Sequence, residues 1–322
     1  MDTIAGQGAG AALLAGYLAD VLAGDPRRWH PVAGFGRLAL ALERALYAPT
    51  RTRGLAFTAT LVALAALAAE LLARAGARAA APASLRAAGR QAALALVVWS
   101  ALGGRSLRTE ALRVAELVER GELDAARAGL RALCGRDAAR LDGPELCRAA
   151  VESLAENTAD AVVGALLWGA LAGPAGVAAY RAANTLDAMV GHRSERYRAF
   201  GWAAARLDDA MGWPAARATA ALACLAAPLV GGASGEAASV ARRDGALHPS
   251  PNAGLVEAAF AGALGVSLGG PLSYAGVRES RPRLGDGREP RAADVHRAAR
   301  LSLAVGAGAA ALCAAARELR AR

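Results

Sequence analysis

The chain has 322 residues, a hydrophobic content of 55% and a formal net charge of +9 at pH 7. The apolar content exceeds that of an ordinary soluble domain, which favours a membrane protein. All 37 basic residues are arginines, which excludes a Walker A motif, a Schiff-base lysine and a Ser–Lys dyad.

Seven apolar stretches follow one another along the chain, and we expect four to seven of them to cross a membrane. Their approximate bounds are 10–24, 55–73, 91–103, 161–180, 216–232, 254–270 and 301–316. Most are shorter than the about 20 residues that a perpendicular membrane helix requires. No convincing period-2 alternation and no longer repeat is visible. The fold class predicted is therefore all-α, a polytopic membrane helical bundle with amphipathic helices and polar loops at one face.

Polar segments separate the apolar stretches within what we predict to be a single integral membrane domain, 1–322. These segments lie at about 25–54, 104–160, 181–215, 233–253 and 271–300. The helical periodicity of Ser106–Leu133 predicts two amphipathic helices separated at Gly121. The sequence Asp142-Gly143-Pro144-Glu145 predicts the start of another helix, with proline in its first turn. A helix break is predicted at Gly173-Pro174-Ala175-Gly176, where the chain would enter the membrane and return on the same side.

The first group of chemically suggestive residues is the run VESLAENTAD, 151–160. In a helix, Glu152, Glu156 and Asp160 lie at i, i+4 and i+8, on one stripe. A solvated acidic face paired with arginines is the plain interpretation. Because the run borders an apolar segment, where carboxylates are costly, a bound cation is the alternative. Magnesium on nucleotide phosphates suits such a site, and Asn157 adds a neutral oxygen.

A second group occupies the run 180–209, which is rich in charged, amide and aromatic side chains. Its candidate residues are Asn184, Asp187, His192, Arg193, Glu195, Arg196, Arg206, Asp208 and Asp209. Arginine forks are suited to phosphate and carboxylate groups. Surface ion pairing explains any single residue of this run, but it does not explain the density of the whole run.

Two turns complete the set of candidate residues. The run GDPRRWHPVAGFGR, 24–37, combines Gly and Pro with Asp25 and His30 in a turn rich in free backbone N–H groups. It is either an anion-binding loop or a simple connection between helices. The run HPSPNAG, 248–254, is a Pro-rich turn with Asn252 as its polar tip.

Taken together, five runs resemble the adenosylcobinamide-phosphate synthase family of cobalamin biosynthesis. They are LADVLAGDPRRWHPV, ESLAENTADAVV, NTLDAMVGHRSERYRAFGWAAARLDD, HPSPNAG and RPRLGDG, in the order expected for that family. The resemblance covers about residues 12–290, and the run 184–209 is its most specific part. One departure is Ser273-Tyr274-Ala275-Gly276, where the family has a second glycine after the tyrosine.

The resemblance implies a multi-pass protein of the inner cell membrane that works late in the corrin pathway. It implies an ATP-dependent carbon–nitrogen ligase that joins adenosylcobyric acid to (R)-1-aminopropan-2-ol or its O-phosphate. The product would be adenosylcobinamide or its phosphate. The implied partners are these substrates, the lipid bilayer and other enzymes of the pathway, and nucleic acid is not expected. Whether the amine is phosphorylated stays open.

The implied reaction is phosphorylation of the carboxylate by ATP, followed by attack of the free amine on the acyl phosphate. Three roles are then assigned by residue type. The residues expected to hold Mg²⁺ are Glu152, Glu156 and Asp160. The residues expected to be catalytic are His192, Arg193, Arg196, Arg206, Asp208 and Asp209, with arginines stabilising the transferring phosphoryl group and an acid or histidine deprotonating the ammonium. The residues expected to bind substrate or nucleotide are Asp25, His30, Asn157, Asn184, Asp187, Glu195 and Asn252.

Two other classes of protein compete with the enzyme. A transporter would need polar residues in the middle of several spans, whereas here they gather at the ends of the spans and in loops. A non-catalytic membrane scaffold of the corrinoid pathway would not need Glu, Asp, Asn, His and Arg packed into two short runs. Consumption of ATP in step with amide formation distinguishes the enzyme from both.

Overall fold

A computed structural model describes residues 8–26, 30–79, 83–135, 137–192, 194–274 and 277–320. The first half of the chain is helical, with helices α1 Ala9–Ala23, α2 Pro31–Leu46, α3 Arg51–Ala79, α4 Ala83–Ala101, α5 Gly104–Glu119, α6 Leu123–Leu130 and α7 Gly143–Thr158. A π-helical turn, Ala159–Val163, leads into α8 Gly164–Leu186, and a second one, Asp187–Gly191, follows α8. The remaining elements are α9 Tyr197–Phe200, α10 Trp202–Ala226, α11 Ser234–Asp244, α12 Ala253–Leu264, β1 Leu268–Tyr274, β2 Val277–Leu284 and α13 Ala292–Arg320, with 3₁₀ turns at Ala227–Val230 and Gly245–Leu247. The predicted all-α fold class is confirmed.

Within the described part of the chain, four helical segments are long and apolar enough to cross a membrane. They are Arg51–Ala79, Gly143–Gly191, Trp202–Val230 and Ala292–Arg320. Helix α3 shows the membrane character most clearly, because Leu55, Leu64 and Leu67 are about half exposed along a span of mean hydropathy 2.1. An exposed apolar helix face of this kind suits lipid and not water. The chain is therefore a polytopic helical bundle, and the number of its helices that cross the membrane stays a prediction.

The contacts divide the chain into two compact units. Unit 1 comprises 1–103, 160–214 and 309–322, and unit 2 comprises 104–159 and 215–308.

Unit 1 has an aromatic and aliphatic core that α2, α3, α8 and the segment around α9 share. Phe57 and Phe200 are fully buried, with ring centroids 5.0 Å apart, and Leu61 and Leu186 pack in the same cluster. Helices α3 and α4 are also joined by Glu70, which accepts hydrogen bonds from both guanidinium nitrogens of Arg90. This pairing offsets the cost of an acid within an apolar helix.

Helix α8 is interrupted at the predicted break. Gly173 has φ 63° and ψ −150°, a conformation outside the helical region that glycine adopts without a Cβ clash. The residues on either side pair in antiparallel fashion: Gly169 faces Val177, and Gly164 faces the ring of Tyr180. The chain thus reverses direction, and 164–172 and 174–186 form a helical hairpin.

The end of α13 stabilises this reversal. A helix arm that stops at a turn leaves its last carbonyl groups without helical donors. The guanidinium of Arg317 donates a hydrogen bond to the carbonyl oxygen of Ala170 at 3.1 Å. One cation therefore satisfies a carbonyl at the tip of the hairpin and also interacts favourably with the end of the helix dipole.

Unit 2 begins with the amphipathic helices α5 and α6, which are separated at Gly121 as predicted. Asp142 caps α7 by accepting from the backbone N–H of Glu145, and the Glu145 carboxylate accepts from the N–H of Asp142. This reciprocal pair, with Pro144 in the first turn, confirms the predicted helix start. Helix α7 is almost wholly buried.

A short antiparallel hairpin, β1–β2, lies in unit 2, where no strand was predicted. Its register is irregular between Leu268 and Gly270. Strand alternation is hidden in the sequence, because glycine, proline and arginine occupy much of both strands. The hairpin is anchored from α7, since the Glu152 carboxylate accepts the backbone N–H of Gly269 at 2.7 Å.

Candidate active site at the base of a helical hairpin

The reversal at Gly173 brings together two predicted site residues from opposite arms of the hairpin. Asp160 precedes the first arm and Asn184 lies near the end of the second. The Asn184 side-chain nitrogen donates to Asp160 Oδ2 and to Asp208 Oδ1, each at 3.3 Å. The Asn184 oxygen accepts from the Arg181 guanidinium at 3.1 Å. One amide thus links two carboxylates and one cation in unit 1.

Three residues of this site have buried polar atoms without a hydrogen-bond partner among the described residues. They are Asp25 at Oδ1, Tyr180 at the hydroxyl oxygen and Arg181 at Nε. Tyr180 is fully buried. An unsatisfied buried polar atom costs about 1–3 kcal/mol, so three together indicate groups kept for a ligand.

The charge of the site is negative. The Arg181 guanidinium interacts electrostatically with the carboxylates of Asp25, Asp160 and Asp208. Three carboxylates against one guanidinium leave a formal charge of about −2, which favours cationic groups. We call Asp25, Asp160, Tyr180, Arg181, Asn184 and Asp208 the hairpin-base cluster.

An apolar cavity of about 750 Å³ adjoins the hairpin-base cluster within unit 1. Arg181 is one of its lining residues, and Ala178, Ala182 and Thr185 line it from the same hairpin arm. The other walls are α2, α3, α4 and the turn before α2. A cavity that is mainly apolar with a few converging polar groups is the usual form of a small-molecule site.

A second set of predicted residues lies in unit 1, after the end of the hairpin. The Asp187 carboxylate interacts electrostatically with Asp209 and His192. Arg206 Nη1 is 3.4 Å from Asp209 Oδ2. The sequence analysis grouped Asp208 and Asp209 as catalytic residues. In the structure, Asp208 bonds Asn184, whereas Asp209 lies near Arg206 and interacts electrostatically with Asp187.

Arg196 belongs to a third group, with Glu43 and two tyrosines. Its guanidinium donates to Glu43 Oε1 at 2.9 Å and lies 4.0 Å from the ring centre of Tyr47. The hydroxyl of Tyr197 donates to the same Glu43 oxygen at 2.8 Å. Burial and this hydrogen bond raise the pKa of Tyr197 above its ordinary value, and the hydrogen bond with Glu43 raises the pKa of Arg196. These contacts give Arg196 a structural function in the absence of substrate.

The three residues predicted to hold magnesium have different surroundings. Glu152 is buried in unit 2 and bonded to Gly269, Glu156 is exposed in unit 2, and Asp160 belongs to the hairpin-base cluster of unit 1. Among the residues that the structure describes, no group of three His, Cys, Asp or Glu side chains could hold a metal ion. The predicted stripe therefore does not fit a preformed metal site, and its metal role stays a prediction.

Among the other predicted binding residues, His30 and Asn157 make local bonds, and Asn252 bonds a distant arginine. His30 Nδ1 accepts from the backbone N–H of Val32 and caps α2. Asn157 donates to the carbonyl oxygen of Ser153 in its own helix. Asn252 accepts from Arg217 in unit 2 at 2.9 Å. The last two predicted residues are Glu195, which is exposed, and Arg193, which lies outside the described residues.

Two members of the hairpin-base cluster were not singled out from the sequence, namely Tyr180 and Arg181. The signal that was available is a pair of polar residues within an otherwise small and apolar run, VAAYRAAN. Such residues inside a membrane segment point to function. The sequence predicted the break at Gly173, but it did not reveal that the reversal brings Tyr180 and Arg181 beside Asp160.

The model of the CobD/Cbib protein family matches residues 13–302 of this chain. The chain belongs to the CobD/Cbib family. It is similar to the cobalamin biosynthesis protein CobD of Mycobacterium tuberculosis (strain H37Rv), with 51% identity over 300 residues, 93% of either chain. The protein of the same name from Geobacter metallireducens is 43% identical over 287 residues, 88% of either chain. The one from Chromobacterium violaceum is 42% identical over 298 residues, 88% of this chain and 89% of the relative.

No solved structure matches this CobD/Cbib chain. The hairpin-base cluster lies wholly inside the matched range, since its residues fall between Asp25 and Asp208. The family resemblance expected from the sequence runs is confirmed.

Proposed function

We propose that this CobD/Cbib protein is the membrane enzyme that joins adenosylcobyric acid to (R)-1-aminopropan-2-ol or its O-phosphate, using ATP. Family membership supports a function in cobalamin biosynthesis, because the curated relatives are named for that pathway. The observation that carries the enzymatic proposal is the hairpin-base cluster, with buried unpartnered polar atoms beside an apolar cavity. A non-catalytic scaffold does not require buried polar atoms without hydrogen-bond partners, which lower the stability of the fold.

A carboxylate does not condense with an amine in water unless it is first activated. In the proposed reaction, a carboxylate oxygen of the corrinoid attacks the γ-phosphorus of ATP, the bond to the β-phosphate oxygen breaks, and ADP leaves. The amine nitrogen then attacks the acyl carbon, the bond from that carbon to the phosphate oxygen breaks, and phosphate leaves. The ammonium must lose one proton before attack and the new amide nitrogen a second, so a base is required.

The chain's own residues supply positioning, charge and proton transfer. Arg193, Arg196 and Arg206 stay the arginines proposed to stabilise the negative charge that develops during phosphoryl transfer, because a guanidinium suits that charge. Asp208, Asp209 and His192 stay the proposed bases, in two separate groups. Exclusion of water by the surrounding apolar walls strengthens each electrostatic interaction. ATP and the magnesium ion that accompanies it are part of the proposal, and no step is assigned to the metal.

The four long apolar helices support a location in the cell membrane, and we propose the inner membrane. A bilayer location suits a bulky, partly apolar corrinoid. The apolar cavity of unit 1 is lined in part by half-exposed leucines, such as Leu64 and Leu96, and an exposed apolar surface of this kind is compatible with lipid. The cavity is smaller than a whole corrinoid, so it would hold one part of a substrate.

The test is a reaction of purified protein with adenosylcobyric acid and Mg-ATP, with aminopropanol or its O-phosphate in parallel, followed by mass spectrometry. We expect the mass of the condensed amide, absent without ATP, with ADP formed in equal amount. The more efficient amine identifies the natural substrate form. Absence of product from folded protein with both amines would contradict the enzymatic proposal and favour a scaffold or a transporter.

A further inference from the structure

We propose that the hairpin-base cluster is the subsite that binds the ammonium group of the amine substrate. Asp160 and Asp208 would accept two of its hydrogen bonds, and Tyr180 or Asp25 would accept the third. The inference rests on the proposed function, because it concerns the amine that the function requires. It assigns one substrate group to one group of side chains.

The negative charge of the cluster determines which chemical group of the proposed substrates it can bind. Three carboxylates, from Asp25, Asp160 and Asp208, interact electrostatically with the single guanidinium of Arg181. The carboxylate of the corrinoid and the phosphate groups of ATP are repelled by such a site, whereas an ammonium group is attracted. The ammonium group is the cationic group among the proposed substrates, apart from the metal ion that accompanies ATP.

The hydrogen-bonding capacity of the cluster also favours an ammonium group. An ammonium group carries three donors and no acceptor. The Tyr180 hydroxyl oxygen and Asp25 Oδ1 are buried acceptor atoms with no partner among the described residues. Tyr180 also interacts electrostatically with both Asp160 and Asp208.

The hydrogen bonds of the Asn184 amide favour an ammonium group over a metal ion as the cation bound to Asp160 and Asp208. Its nitrogen already donates to Asp160 and Asp208, and its oxygen is held by Arg181. A magnesium ion between the two carboxylates would meet the hydrogens of the amide, and it requires near-octahedral oxygen ligands. A carboxylate offers about four lone-pair sites, so in general it can accept hydrogen bonds from an amide and from an ammonium group together.

Access to the cluster comes from the adjoining cavity, which Arg181 lines. The hydroxyl end of Tyr180 packs against the first hairpin arm, since a Cβ at Gly164 would overlap the hydroxyl oxygen and the adjoining ring carbons. Asn184 is then a positioning residue, because its one side-chain nitrogen donates to both Asp160 and Asp208.

The experiment measures binding and turnover on the full-length protein in lipid nanodiscs. Equilibrium dialysis with ¹⁴C-labelled 1-aminopropan-2-ol, without ATP or corrinoid, gives the affinity for the amine. Unlabelled propane-1,2-diol, which has a hydroxyl in place of the ammonium, is the neutral competitor. We expect unlabelled amine to displace the label and the diol to leave it bound.

Three variants separate the possible roles. Asp208→Asn should raise the KM for the amine about tenfold or more, because a charge-assisted hydrogen bond is lost, while the KM values for ATP and corrinoid stay within about twofold. Tyr180→Phe keeps the ring packing and should raise the amine KM by a smaller factor. Asp124→Asn, which removes a carboxylate whose side chain is 98% exposed, is the matched control and should leave all three KM values unchanged. Thermal unfolding verifies that each variant is folded.

Each outcome decides the proposal. An unchanged amine KM and affinity in both Asp208→Asn and Tyr180→Phe would overturn it, and so would displacement of the label by propane-1,2-diol. A raised magnesium requirement with unchanged amine affinity would show that the carboxylates hold metal instead. If the unaltered protein forms no amide but binds the amine through Asp208, the proposed function fails and the ammonium subsite stands. If it forms amide with an amine KM indifferent to Asp208, the subsite alone fails.

Discussion

The side-chain amide of Asn184 donates a hydrogen bond to the carboxylate of Asp160 at 3.3 Å, across 24 positions of the chain. In an uninterrupted helix these residues would be about 36 Å apart at 1.5 Å per residue. They meet because the helix reverses at Gly173. The same amide also bonds Asp208, so the hydrogen bonds of the hairpin-base cluster depend on one backbone turn.

Asn184→Leu should reduce kcat/KM for amide formation by about 100-fold. Two carboxylates would then repel each other without the shared donor, and a buried amide network would be lost at about 1–3 kcal/mol per unsatisfied group. Steady-state kinetics with mass detection of the product measures the effect. Activity close to that of the unaltered protein, in a folded Asn184→Leu variant, would show that the cluster lies outside the reacting centre.

Gly164→Ala should displace the Tyr180 ring, because a Cβ at position 164 would overlap it. We expect a loss of stability of about 1–3 kcal/mol from overpacking and a marked fall in activity. The matched control is Gly129→Ala, whose Cβ would meet Val114 at an ordinary 3.5 Å. That variant should be neutral or more stable by about 0.5–1 kcal/mol, and equal unfolding temperatures for both alanine variants would contradict the packing argument.

Arg317→Met should lower the unfolding temperature, since the carbonyl of Ala170 would lose its donor at the tip of the hairpin. The expected cost is about 1–2 kcal/mol for a hydrogen bond from a charged group. Arg317→Lys should recover part of it, and Arg320→Met serves as the control for loss of a cation from the last turn of the same helix. Identical unfolding curves for Arg317→Met and Arg320→Met would remove the proposed stabilising function of Arg317.

Asp244 makes stability depend on pH in the acid range. Its carboxylate accepts two hydrogen bonds from Arg243 at 2.7 Å and the backbone N–H of Gly285 at 2.7 Å. The bonds from Arg243, helped by Gly285 and opposed by burial, lower the pKa of Asp244. A carboxyl whose pKa is lower in the folded than in the unfolded protein stabilises the fold. The stabilisation is complete above the pKa of the unfolded state, about 3.9, and is lost as the pH falls through the pKa of the folded state.

Asp244→Asn should therefore lower the free energy of unfolding by about 1–2 kcal/mol near neutral pH. The value is kept small because Arg243 is half-exposed and solvent screens its interaction with Asp244. Unfolding temperatures of the two proteins should approach each other as the pH falls below about 4. Asp286→Asn removes an exposed partner of the same arginine and should have a small effect. A stability difference between Asp244→Asn and the unaltered protein that is constant from neutral to acid pH would contradict this assignment.

Glu152→Ala should destabilise unit 2 without changing the dependence of activity on magnesium concentration. The carboxylate anchors the irregular first strand through Gly269, so its loss leaves a buried N–H unsatisfied at about 1–3 kcal/mol. Glu156→Gln, on the exposed side of the same helix, is the companion variant for the predicted metal role. A raised magnesium requirement in either variant would confirm the predicted metal role of the residue concerned.

The sequence by itself determined the class of the protein and many of its local features. Apolar stretches of helical length predicted the all-α membrane fold, and local rules predicted the capped start of α7 at Asp142 and the separation of α5 from α6 at Gly121. The motif runs predicted the family. These features are decided by neighbours within a few positions, so the sequence order alone reveals them.

The tertiary structure decided which of the candidate residues work together. Glu152, Glu156 and Asp160 share a stripe in the sequence pattern, yet Glu152 is bonded to a strand 117 positions away. Asp160 instead joins Asn184 and Asp208, because Gly173 reverses the helix. The sequence predicted the break at Gly173, and helical spacing predicts which residues share a face. Neither predicts which partner covers that face or which residues meet across the turn. Tyr180 and Arg181 were therefore recognised as site residues only from the folded hairpin.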